Sequence, residues 1–134
     1  MILDSSAVLA ILANEPERAP MLEVLSGVVP VSMSAATYLE GAIVIDSRRD
    51  PVLSRRYDEL LDGLRVEIVD VTAAQARRAR EAYRDYGRGS SSPARLNFGD
   101  CFSYALATER GESLLFKGND FGHTDVTPAL GERP

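Results

Sequence analysis

The sequence predicts an α/β protein, a three-layer α/β/α sandwich around a central, mainly parallel sheet of four to five strands. Three observations predict it. Short apolar or β-branched runs alternate with helical stretches through the whole chain, the signature of successive βαβ units. Most helical stretches open on a capping residue or a proline, and several close at a glycine, so the elements are punctuated at both ends. The 134 residues carry no internal repeat and no linker, so residues 1–134 read as a single domain with one shared interior.

Taken in order, "ILDSS" is a short buried strand ending in a polar turn. "SAVLAILAN" follows as a helix that must stop before Pro16, because proline lacks the N–H and clashes with the preceding turn. "PERAPMLEVLSG" is a second helix stopped at Gly27, and "VVPVSMS" is the second strand. Ser34 is placed to cap a helix from Ala35 to about Arg49. "PVLSRRYDELLDGL" is a helix opened by Pro51 and closed near Gly63. "RVEIVDV" is a β-branched strand, and Thr72 caps a long helix to about Tyr86. "GRGSSSPAR" is a loop, "NFGDCFSYALATERG" a helix capped by Asn97 and stopped at Gly111, and "SLLF" a strand. The tail "GNDFGHTDVTPAL" is turn-rich, with one short strand expected near Val126.

Composition excludes several classes. Hydrophobic residues make up 45 % and charged residues 26 %, which is a globular rather than a disordered mix. No apolar stretch approaches the roughly 20 residues that span a bilayer, and Asp4 interrupts an N-terminus without a basic segment, so neither a membrane span nor a signal peptide is expected. A single cysteine, Cys101, excludes an internal disulfide and a cysteine-built zinc site, which makes a reducing cytoplasm the expected compartment. The net charge of −5 argues against nucleic-acid binding by bulk charge. The charge is uneven, however. From Gln75 to Arg95 six arginines face only Glu81 and Asp85, a local +4 that leaves −9 for the remainder. These arginines are either a solvated helix face or phosphate contacts.

Ligands in a parallel sheet bind outside the carboxyl ends of the strands, and the acids of this chain fall there. Asp4 ends the first strand, where Ser5 and Ser6 would already suffice as helix caps. Glu40 has Ala36, Thr37, Ile43 and Val44 as helical neighbours, so it lies on or beside a face that turns inward. A buried glutamate needs a compensating partner. Asp100 is the third residue of the helix capped by Asn97, a position that suits an acid for local reasons as well. Asp120 and Asp125 follow the last clear strand. Carboxylates that converge repel one another unless a cation joins them, and hard oxygen donors suit Mg²⁺, with Mn²⁺ as an alternative. Attack of an activated water on a phosphodiester is the chemistry such a centre serves.

With these pieces in view, the chain resembles the PIN domains, and among them the toxin ribonucleases of VapBC toxin–antitoxin modules. The resemblance rests on "ILDSSAVLAIL", "SAATYLEGAIV", "YGRGSSSPARLNFGDCFSYALA" and "LLFKGNDFGHTDV", of which "LNFGDCFSYALA" with "LLFKGNDF" is the most specific. It implies a PIN-like fold and a cytoplasmic, Mg²⁺-dependent endoribonuclease. Its partners would be an RNA substrate, a second copy of itself and a small cognate antitoxin. It assigns metal-site roles to Asp4, Glu40 and Asp100, and a supporting role to Ser6. Many PIN domains carry a fourth acid two residues after a threonine at the end of the last strand. Here Phe116 and Gly118 occupy those places, which leaves the fourth acid open between Asp120 and Asp125. Arg88 and Arg95, in the loop before the Asp100 helix, are candidate contacts to the RNA backbone.

Other chemistries lack their residues. His123 is the only histidine and lies in the tail, and there is no G-x-S-x-G elbow, Walker A loop or G-x-G-x-x-G. Two rival readings remain. A phosphoacceptor receiver domain would use Asp4, Asp70 and Lys117, although it would lack the usual second acid beside Asp4. A catalytically silent PIN-like domain would bind RNA without cutting it.

Overall fold

The computed structural model describes residues 1–131. Four strands, β1 (Ile2–Leu3), β2 (Ser32–Ser34), β3 (Glu67–Val69) and β4 (Leu114–Leu115), form one sheet in the order β3-β2-β1-β4. Every pairing is parallel, with Ile2 opposite Ser32 and Leu114, and Met33 opposite Ile68. Six helices connect them: α1 (Ser5–Leu12), α2 (Arg18–Leu25), α3 (Ala35–Asp46), α4 (Pro51–Gly63), α5 (Ala73–Tyr86) and α6 (Phe98–Arg110).

The period-2 alternation of a strand sorts its side chains into two cores. Leu3, Met33 and Leu115 pack with α1, α2, Ile45 of α3, and Tyr57 and Leu61 of α4. Ile2 and Leu114 point the other way, onto Ala79 and Ala82 of α5 and Tyr104 and Leu106 of α6. The sheet is therefore the middle of three layers, as the alternating pattern requires.

The helix starts follow local chemistry. Ser34 accepts from the Ala36 N–H, Thr72 from the Gln75 N–H and Asp50 from Val52 and Leu53, with Pro51 in the first turn where its missing N–H is not needed. Gly111 ends α6 in the left-handed region at φ +63°, a conformation open to glycine without a Cβ penalty. Two details differ from the sequence expectation. Helix α3 stops at Asp46 rather than near Arg49, because Arg49 itself turns left-handed (φ +53°) ahead of the Asp50 cap. The short strand expected near Val126 is a single parallel bridge between Leu114 and Pro128, preceded by a 3₁₀ turn at Phe121–His123.

The order of strands decides one rival. Strand β3 is at an edge, separated from β1 by β2, so Asp70 and Asp4 do not flank a common crevice as a phosphoacceptor site needs. Asp70 is exposed, and the Lys117 ammonium pairs with Glu15 and Glu17 instead. The chain reverses direction across the sheet between β1 and β4, and that switch point is where Asp4 emerges.

Candidate metal centre

Asp4 caps α1 from the end of β1 and is only 2 % exposed. One carboxylate oxygen, Oδ2, accepts from the Ser6 N–H (3.0 Å) and the Ser6 hydroxyl (2.6 Å). The other, Oδ1, accepts from Ser103 Oγ on α6 (2.5 Å). With its one proton spent on Asp4, Ser103 must accept from Thr37 Oγ1, which lies 3.1 Å away on α3. The Lys117 N–H donates to Ser6 Oγ (3.0 Å), which ties the loop after β4 to the same knot. Hydroxyl and amide donors from separate elements thus fix a buried carboxylate, as a desolvated charge demands.

Glu40 reaches the knot from the middle of α3. Its Oε1 accepts from Ser5 Oγ (2.9 Å). Its carboxylate lies against the first turn of α6, in the space a side chain on Gly99 would fill: a Cβ built there would overlap Oε2 and the carboxyl carbon and fall 2.7 Å from Oε1. Burial raises the proton affinity of Glu40; the Ser5 hydrogen bond opposes this, and the Asp4 charge adds to it. Asp100 closes a reciprocal capping box with Asn97, accepting from the Asn97 N–H (3.0 Å) while Asn97 Oδ1 accepts from the Asp100 N–H (2.9 Å). Burial pushes the Asp100 carboxyl up to about 6; the Asn97 hydrogen bond works against this, and the charges of Asp4, Asp120 and Glu40 reinforce it.

Asp4 and Glu40 are joined through the adjacent Ser6 and Ser5, and Glu40 lies against Gly99 beside Asp100, so these three acids share one region, with Asp120 near enough for its charge to act on Asp100. Asp120 is exposed at its rim, in the loop after β4. Asp125 is elsewhere: it accepts from the Tyr104 hydroxyl (2.5 Å) and lines a depression beside Gly111, at the far end of α6. Among the described residues, no three His, Cys, Asp or Glu side chains are closed around a single point in a ligating arrangement. Asp4 and Asp100 are turned to their hydrogen-bond donors instead. The donor set itself fits a hard divalent cation: carboxylate and hydroxyl oxygens, and no sulfur ligand. Cys101 is buried, its thiol is pushed up to about 11 chiefly by that burial, and it donates to the Asn97 carbonyl, so it is a packing residue.

Ser5, Thr37, Gly99 and Ser103 are not singled out by the sequence. Ser103 carries the one usable signal, since it follows Asp100 by one helical turn, on the same face.

The raised Asp100 value has a definite sign in stability. A carboxyl that holds its proton more tightly folded than unfolded contributes stability that grows as pH falls through about 6 and is complete below the ordinary value of 3.8. Above that window the charged form is a burden. Asp100→Asn is therefore expected to raise the Tm of the ion-free protein at pH 7.5, with the gain clearly smaller at pH 4.5 and gone only below about 3.8. Melting both proteins in chelator across that range checks it; a gap independent of pH would contradict the assignment.

Comparison with known proteins agrees with the fold. The family model described as PIN domain matches residues 1–126. Ribonuclease VapC28 of Mycobacterium tuberculosis is 55 % identical over 133 residues, which is 99 % of this chain and 100 % of the relative. Among solved structures, M. tuberculosis VapC20, described as a sarcin–ricin loop cleaving toxin, superposes with a TM-score of 0.70 at 18 % identity, covering 95 % of this chain and 98 % of that one. A toxin–antitoxin complex from Klebsiella pneumoniae gives 0.71 at 16 % identity, covering 96 % and 97 %.

Proposed function

The chain belongs to the PIN-domain family, and on that premise we propose that it is a divalent-metal-dependent endoribonuclease toxin of the VapC type, neutralised by a small cognate antitoxin. The observation that carries the proposal is the gathering of Asp4, Glu40, Asp100 and Asp120, from four distant segments, at the switch point of a parallel sheet. Four acids in one partly buried region repel, and a cation that they share removes the repulsion. Asp4, Glu40 and Asp100 would hold Mg²⁺ or Mn²⁺, with Asp120 the fourth acid. When bound, the ion would supply charge neutralisation at the phosphate and make a bound water more acidic than bulk water.

The rest is work for the chain's own side chains. Ser6 and Ser103 hold Asp4 in one orientation. Glu40, which Ser5 holds through one carboxylate oxygen, would take the proton of the attacking water. In-line attack on phosphorus would then break the bond to the 3′ oxygen, which takes a proton from solvent, and leave a 5′-phosphate and a 3′-hydroxyl. Total RNA incubated with the purified chain, with Mg²⁺ and with chelator, and end-mapped afterward, tests this. Absence of cleavage with every divalent cation would leave a silent RNA-binding domain.

Arg88, Arg95 and Asp120 line a polar depression of about 510 Å³ beside the carboxylates. The arginines there position the RNA backbone against an otherwise acidic surface. Arg95→Ala is expected to weaken single-stranded RNA binding roughly five-fold and to lower the salt slope of log K by about 0.7, the share of one phosphate contact. Fluorescence anisotropy in chelator at several salt concentrations measures both, and an unchanged slope would remove Arg95 from the interface.

The remaining assignments are proposals of the same kind. A homodimer and a cytoplasmic setting fit the family. No helix among the described residues is long and apolar enough to cross a membrane.

A further inference from the structure

A cleft of about 620 Å³ runs between α5 and α6, walled by Ala76, Ala79 and Cys101 and rimmed by the side chains that give it its chemistry: Arg80, Tyr83, Arg88, Asn97, Phe98 and Phe102. Phe98, the first residue of α6, is 78 % exposed. It meets the edge of Phe102 at 81°, with ring centroids 5.0 Å apart. Apart from that edge contact the ring is open to solvent.

Two features say what it faces. The first is continuity. Arg88 lines both this cleft and the depression that holds Arg95 and Asp120. Asn97, on the cleft wall, is the residue whose N–H binds Asp100. The cleft thus shares Arg88 with the depression that Asp120 lines, and shares Asn97 with the Asp100 capping box. The second is charge. In a chain with 20 acids and a net charge of −5, the cleft lining among the described residues has two arginines and no carboxylate. An apolar partner helix laid there would desolvate both guanidinium groups without return, whereas a nucleotide brings a π-face and a phosphate together.

We propose that the α5–α6 cleft is a nucleobase subsite of the cleavage centre, in which an unpaired base adjoining the scissile phosphate stacks on Phe98 while Arg88 holds the backbone beside it. This rests on the RNA-cleaving reading and deepens it by making Phe98 a residue that sets the substrate as single-stranded.

The test uses the whole chain with Mg²⁺ and a single-stranded oligoribonucleotide spanning a cut mapped in total RNA. Phe98→Ala and Phe98→Leu should raise KM roughly ten-fold with kcat little changed, the size of one lost base–aromatic stack, and Phe98→Trp should restore it. An abasic nucleotide at one position next to the cut should reproduce that loss in the wild type and add nothing in Phe98→Ala. Because the ring is exposed, these variants should melt as the wild type does. If Phe98→Ala and Phe98→Leu cut with wild-type KM, the subsite is refuted while the ribonuclease reading stands. The subsite is refuted equally if they cut normally but lose antitoxin binding or self-association, which would make the cleft a protein interface. A wild type that cuts no RNA brings down the function and the subsite together.

Discussion

Asp4→Asn is expected to abolish RNA cleavage, by about 10³-fold or more, and leave the fold intact. The loss follows from charge: ion-mediated stabilisation of a phosphoryl transition state is worth several kcal/mol, and each 1.4 kcal/mol is a factor of about ten in rate. The fold survives because asparagine caps a helix as well as aspartate does. Its side-chain oxygen can still accept from the Ser6 N–H, as Asp4 Oδ2 does now. What disappears is a carboxylate that is 2 % exposed and needs three donated hydrogen bonds to be tolerated. Cleavage of RNA, relief of growth arrest on expression, and Tm with and without Mn²⁺ read the three consequences. The Mn²⁺-induced rise in Tm should vanish with the activity. An unfolded Asp4→Asn protein would instead make Asp4 a structural residue.

Gly99→Ala should separate activity from stability in the opposite sense. The new Cβ would overlap Glu40 Oε2 and the carboxyl carbon, so the Glu40 head must leave its place beside α6. A displacement of about 1 Å at a reacting group can cost roughly 10²-fold in rate. Helix stability moves the other way, since alanine is better than glycine in a helix by about 0.5–1 kcal/mol. The expected protein is at least as stable as the wild type and about 10²-fold slower. A second change makes the cause visible: Glu40→Asp in the Gly99→Ala background withdraws the carboxylate by one methylene and should recover part of the rate. Full activity in Gly99→Ala would mean that Glu40 is free to act from a different position.

Most of the architecture could be read from the chain because its signals are local. Ser34, Thr72 and Asn97 cap within three residues of themselves, and Pro51 and Gly111 mark a start and a stop that depend on backbone chemistry alone. Two of the candidate acids stand out in the sequence because they break a local pattern: Asp4 ends an apolar strand and Glu40 sits among apolar neighbours. The parts that were not legible are relations between distant residues. Ser103 is ordinary until it is seen donating to Asp4, 99 positions away. Gly99 reads as a dispensable helix residue until the Glu40 carboxylate is found in its missing side chain's place. Asp120 and Asp125 look alike in the sequence, because only the path of the tail, which takes Asp125 to the Tyr104 hydroxyl, puts them in different places.

The inner position of β1 bears on when the enzyme can first act. The strand that carries Asp4 is made well before β4, yet β4 is one of its sheet neighbours, and the Asp4 N–H donates to the Leu115 carbonyl. Such a long-range pairing cannot form until β4 has left the ribosome. The proposed centre is therefore expected to assemble late, and a chain cut short before Leu115 is expected to show no RNA cleavage.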